Sequence, residues 1–191
     1  MPKIWSETIA AHRDAVRDAT LDATAALVAE HGLTGVTMSQ IAKSTGIGRA
    51  TLYRHFPDVE AILRAWHDRQ IDDHLRRLLE IRDRTPGPLN RLEAVLTGYA
   101  TATSHRRAHD PRLNALLHSG EHVAAAHEHL REFVRDLIAD AAGTGDVRRD
   151  IPPDELATYT LHALSAASTL DTPSAVERLV TLTLSGLRAP A

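Results

Sequence analysis

Apolar positions along this chain recur every three to four residues and nowhere alternate over the length of a strand, so the pattern predicts helices alone. Val16, Ala19, Ala23, Ala26 and Leu27 share one face of a first helix, from near Ser6 to His31-Gly32. Thr37 with Gln40 three residues later is a capping-box start, and Ile41-Ala42 give the short helix that follows its apolar face. Gly46 stands where the chain must turn sharply, because a residue without a β-carbon takes a positive φ at no steric cost. Ile47 then plugs back toward the core. Gly48, Arg49 and Ala50 open a third helix whose Leu52 and Phe56, one turn apart, share its buried side. Its exposed side carries Arg49, Thr51, Tyr53, Arg54 and His55.

A long helix follows Pro57-Asp58 and runs to about Arg84, with Asp58 placed to cap it. Ile62, Leu63 and Trp66 occupy its first part, and Ile71, Leu75, Leu78 and Leu79 its second, so it belongs to two domains at once. Thr85-Pro86-Gly87-Pro88 stops it. The next helix, Leu89 to about His109, has Leu92, Val95, Leu96, Tyr99 and Thr103 on one stripe. A shorter one opens at Asp110-Pro111, carries Leu113, Leu116 and Leu117, and breaks near Ser119-Gly120. Another runs to about Ala142 with Val123, Ala126, Leu130, Phe133, Leu137 and Ile138 inward. After the loop Gly143-Thr144-Gly145-Asp146, two last helices span Pro152-Pro153-Asp154 to about Thr169 and Thr172-Pro173 to about Leu187. The predicted fold is all-α, with about nine helices and no internal repeat.

The stretch from Thr37 to Phe56 reads as a helix-turn-helix whose second helix is made to lie in a DNA major groove. Charge agrees. Between His31 and Pro57 there is no acid, while Lys43, Arg49 and Arg54 are basic, in a chain of net charge -3. Cations against phosphates and flexible donors at base edges are what DNA requires. A solvated helical hairpin would carry the same periodicity.

Gly32-Leu33, Val36-Thr37-Met38, Ile41-Ala42, Gly46-Ile47 and the run Thr51-Leu52-Tyr53-Arg54-His55-Phe56 resemble the DNA-binding signature of the tetracycline-repressor (TetR) family. The resemblance covers about Thr20 to Leu63. It implies a helix-turn-helix DNA-binding domain over 1–57 and a helical effector-binding and dimerisation domain over 58–191. It implies contacts to double-stranded DNA from Thr37, Ser39, Lys43, Gly48, Arg49, Thr51, Tyr53, Arg54 and His55, with a homodimer reading a palindromic operator. One position departs from the pattern. The family usually places a lysine a few residues after the aromatic that ends the motif, touching phosphate from the start of the next helix. Here Val59 stands there, preceded by Asp58. Arg13 and Arg17, one turn apart on the first helix, either approach the DNA backbone or pair with Asp14 and Asp18.

The last two helices combine small residues, Ala163, Ala166, Ala167 and Ser168, with an aliphatic stripe, Val176, Leu179, Val180, Thr183, Leu184 and Leu187. In the family the corresponding helices pair across a two-fold axis. The expected dimer interface is therefore Ala163, Ala167, Val176, Leu179, Val180, Thr183, Leu184 and Leu187. The same residues could instead complete the core of one chain. The resemblance also implies a cavity for a small-molecule effector, apolar with few polar fixtures. Tyr99, Thr103, His122, Phe133, Tyr159 and His162 are the candidates to line it, each on a stripe expected to turn inward, although for any one of them ordinary core packing is the simpler reading.

Composition narrows the chemistry. With 191 residues the chain suits one domain or two small ones. It has no cysteine, which excludes disulfides and thiolate metal sites. No apolar run reaches a membrane span, and the first residues lack the apolar core of a signal peptide, so a cytoplasmic protein is expected. No Gly-rich phosphate loop, nucleophile elbow or apolar carboxylate pair supports an enzyme, and no cofactor or metal site is assigned. Of twelve histidines, six fall between His105 and His129. His105/His109 and His118/His122 have the i, i+4 spacing that can bind a metal, though Gly120 interrupts the second pair and solvent-exposed imidazoles are the simpler reading. The expectation is a homodimeric transcriptional regulator, a repressor released by a small molecule. The rival readings are a metal- or pH-responsive regulator using 105–129, or a helical enzyme or interaction protein.

Overall fold

The computed structural model describes residues 3–32, 35–105 and 121–188, with side chains except those of 3–12 and 121–122. Among these residues there are eight α-helices: α1 (Lys3–His31), α2 (Met38–Thr45), α3 (Arg49–His55), α4 (Val59–Arg84), α5 (Pro88–Ser104), α6 (Glu121–Thr144), α7 (Pro153–Ser165) and α8 (Pro173–Leu187). A 3₁₀ turn, Ala166–Thr169, extends α7. The fold is all-α; the described residues form no strand, and a single antiparallel bridge joins Val147 to Arg188. The helix expected from Asp110-Pro111, with Leu113, Leu116 and Leu117, lies outside the described residues. α1 starts three residues before Ser6, and α5 ends at Ser104 rather than near His109.

The chain divides into two compact units, and the division falls inside α4, between Gln70 and Ile71. The first unit packs Leu21 and Val28 of α1, Val36, Met38, Ile41 and Ala42 around α2, and Leu52, Phe56, Ile62 and Leu63 into one core. Burying a side chain of this size stabilises by about 1.5–3 kcal/mol, so this small core is enough to fix α2 against α3. The buried face of α1 is Thr20, Leu21, Thr24 and Val28, whereas Ala19 and Ala26 are exposed. The expected stripe is therefore rotated. Thr20 and Thr24 donate their hydroxyls to the carbonyls of Val16 and Thr20, both at 2.8 Å, and so turn methyl groups inward without leaving a polar atom unsatisfied.

The second unit is built round α5. Leu92, Val95, Leu96 and Ala100 are fully buried, against Leu78 of α4, Val134 and Ile138 of α6, Leu156 and Leu164 of α7, and Val180 and Leu187 of α8. Gly98 lets α4 come close. A β-carbon there would lie 2.8 Å from Ile81 Cδ1 and 3.4 Å from Leu78 Cδ2. Arg149 closes the end of α6 by donating from Nε to the Ala142 carbonyl (2.6 Å) and from Nη2 to that of Gly143 (2.9 Å), which satisfies carbonyls that the last helical turn leaves open.

Candidate nucleic-acid interface

α2 begins with the expected capping box. Gln40 N–H donates to Thr37 Oγ1 at 3.3 Å, and Thr37 N–H donates to Gln40 Oε1 at 2.8 Å. α2 is closed by Gly46, whose φ of 71° is left-handed, and after extended Gly48 the chain re-enters helix at Arg49. α3 has only seven residues, and its buried side is Leu52, with Phe56 as the residue that closes it. Phe56 N–H donates to the Leu52 carbonyl at 2.9 Å. One side of α3 is thus fixed by the core, and the other is free to meet a partner.

The predicted contact residues differ in how far they reach the surface. Thr37, Lys43, Gly48, Arg49, Tyr53, Arg54 and His55 are exposed, and Ser39 and Thr51 are half-buried. Tyr53 is 54% exposed, much for an aromatic ring. Among the described residues, Lys43, Arg49 and Arg54 make no ion pair. Thr37 differs, because its hydroxyl also donates to Gln40 Oε1 at 2.8 Å and is committed to the cap. At the start of α4, Asp58 Oδ1 accepts from Ala61 N–H at 2.7 Å, and Glu60 pairs with Arg64 at 3.3 Å. Arg69 ties α4 to α1 by donating to Asp18 at 3.0 Å and to Asp22. Arg13 is exposed. Arg17 is paired with neither Asp14 nor Asp18; its guanidinium lies over the ring of Phe56, 5.7 Å from the centroid. No sequence spacing could have put Arg17 above Phe56, since the two meet only through the fold.

In the second unit the effector candidates separate. Tyr99 is half-buried, with its ring 6.0 Å from that of His74, a residue the sequence reading did not single out. Thr103, one turn on from Tyr99, is 6% exposed, and its hydroxyl has no hydrogen-bond partner among the described residues. Phe133 is partly buried beneath the Arg82 guanidinium, 5.5 Å from the ring centroid. Tyr159 and His162 do not turn inward. Tyr159 is 49% exposed, and exposed His162 donates from Nδ1 to the Thr158 carbonyl at 2.8 Å. The side chain of His122 lies outside the described residues, as do His109 and His118. His105, His127 and His129 are exposed. Among the described residues no three His, Asp or Glu side chains gather to hold a metal ion, and no helix is long and apolar enough to cross a membrane.

Of the dimer candidates, Ala167, Val176, Val180, Thr183 and Leu187 are buried within the second unit. Leu179 and Leu184 pack partly against the same core, and Ala163 is half-buried. The apolar groups left at the surface of α7 and α8 are Tyr159 and Leu182, the latter 68% exposed.

A helix-turn-helix with a short, basic, outward-facing second helix defines a DNA-binding protein. Residues 21–66 match the bacterial regulatory proteins of the tetR family, and residues 92–189 match the C-terminal domain of SbtR-like transcriptional regulators. The chain belongs to the TetR family, whose members are transcriptional regulators and not enzymes. It is 27% identical to the HTH-type transcriptional repressor KstR2 of Mycolicibacterium smegmatis over 148 residues, 72% of this chain and 70% of that one. Its fold is similar to that of a TetR/AcrR regulator of Thermobifida fusca (TM-score 0.72, 20% identity, covering 90% and 98% of the two chains). It is also similar to the regulator FadR of Bacillus subtilis in complex with stearoyl-CoA (TM-score 0.66, 15% identity, covering 89% and 98%).

Proposed function

We propose that this chain is a cytoplasmic, homodimeric repressor that reads a palindromic operator through α3 and leaves it when a small molecule binds the second unit. The observation that carries the reading is that α3 is held to the core by Leu52, and by Phe56 just beyond its end, while Arg49, Tyr53, Arg54 and His55 are exposed. Arg49 reads a base edge; Lys43, Tyr53, Arg54 and His55 hold phosphates; Ser39, Gly48 and Thr51 add contacts to the DNA backbone. Residues 1–57 form the DNA-binding domain, and 58–191 hold the effector and the partner chain. The partner packs on the outer face of α7 and α8, where Tyr159 and Leu182 are exposed and Ala163, Leu179 and Leu184 partly so.

The effector is a largely apolar molecule with a hydrogen-bonding group, held near Tyr99, Thr103 and His74 with Phe133 on the neighbouring helix. Two observations support this class: the buried hydroxyl of Thr103, and the likeness to FadR, which was solved with stearoyl-CoA. Its release of the operator requires unequal affinity for the DNA-bound and free conformations. The test is to select a binding duplex from a random pool and compare it with a scrambled duplex of the same length, with sedimentation to count chains per duplex. Two chains on the selected sequence are expected. Equal affinity for the two duplexes, or one chain per site, contradicts the reading.

A further inference from the structure

We infer that Arg17 of α1 is a phosphate contact of the reading head, seated for that purpose on the ring of Phe56. The inference rests on the DNA-binding role given above and adds a residue to it.

Phe56 is 5% exposed and donates its N–H back to Leu52, so its ring is held by the core and by α3 together. The Arg17 guanidinium lies over that ring. A guanidinium stacks through its plane, which leaves the N–H donors at its edge available to planar or tetrahedral oxygens. An otherwise mobile exposed side chain is thereby held beside the end of α3, where Tyr53, Arg54 and His55 are exposed, so less freedom remains to be lost on binding.

Neither Asp14 nor Asp18 pairs with it among the described residues. Asp18, the next residue, accepts from Arg69 at 3.0 Å, and Asp22 accepts from Arg69 as well. Arg17 makes no ion pair among the described residues. The other side of this end of α3 has the wrong charge for an anion. Asp58 is spent capping α4, Val59 is apolar, and Glu60 holds Arg64. A phosphate passing the end of α3 therefore meets a cation from α1 where the TetR pattern would supply one from α4.

The test uses Arg17→Gln, which removes the charge and keeps a polar amide, and Arg17→Lys, which keeps the charge. Affinity is measured against salt concentration on a selected duplex and on a scrambled duplex of equal length. Arg17→Gln should lose the same factor on both duplexes, because a phosphate contact carries no sequence information. With one contact per half-site on two half-sites, the slope of log affinity against log salt should become shallower by about 1.8. Arg17→Lys should keep most of the wild-type slope. A glutamine variant with altered melting but an unchanged slope would mean that Arg17 only packs on Phe56, and the inference falls. A loss confined to the selected duplex makes Arg17 a base reader and overturns it too. Wild-type protein whose binding ignores salt would refute the DNA-binding role itself, and this inference with it.

Discussion

Arg49 is the first residue of α3, exposed and without an ion pair among the described residues. From that position a guanidinium can reach the O6 and N7 of a guanine, the bidentate contact that distinguishes G·C from other pairs in the major groove. Arg49→Ala should cost about 1–3 kcal/mol on the selected duplex and relax preference at one position in each half-site. Binding to a panel of single-base variants measures this. A uniform loss across the panel would make Arg49 a phosphate contact. Tyr53, Arg54 and His55 were legible in the sequence because their placement is decided within one helical turn: where Leu52 is buried, the three residues after it turn away from the core, while Arg49 is exposed as the first residue of α3. Arg17 was legible only as two possibilities, the DNA backbone or an ion pair with Asp14 or Asp18; its seat over Phe56 was not, because the two residues lie 39 apart and meet only in the fold.

At the scale of the element, threonine decides what can be read. Buried Thr20, Thr24, Thr160 and Thr183 each donate to the carbonyl four residues earlier, at 2.6–2.8 Å. A hydroxyl satisfied in this way lets the residue behave as apolar, which is why a periodicity that counts threonine as polar rotates the inner face of α1. The capping box of α2 was legible because both of its partners lie within three residues. The outward turn of Tyr159 and His162 was not, because α7 buries Leu156, Ala157, Thr160 and Leu164 instead, a face that again includes a threonine. Thr103 breaks the rule, since its hydroxyl does not bond back to its own helix. An unsatisfied buried hydroxyl costs about 1–3 kcal/mol. Thr103→Val, of the same shape, should therefore raise the unfolding free energy of the ligand-free protein by about that amount, as urea denaturation would report, whereas Thr160→Val should not. If Thr103→Val lowers stability instead, the hydroxyl has a partner and is not held open for an effector.

At the scale of the molecule, the two units share one helix, and the change from one core to the other between Gln70 and Ile71 interrupts no turn of α4. The proposed dimer belongs to this scale. Leu184 is partly packed against its own core, so a charge there would disturb folding as well as association. Leu182 separates the two, because it is exposed in the single chain and a charge costs little there until a partner covers it. Leu182→Glu should give protein of unchanged helical content that sediments as a monomer and fails to hold the selected duplex. A dimer of normal mass would move the interface away from the outer face of α8. The exposure of Tyr159 and Leu182 also has a consequence for dosage. If only a second copy covers these side chains, then in dilute solution the active species grows with the square of the number of chains, and halving that number roughly quarters it. Such a regulator would give up its operator abruptly as its own synthesis slows, before any effector arrives.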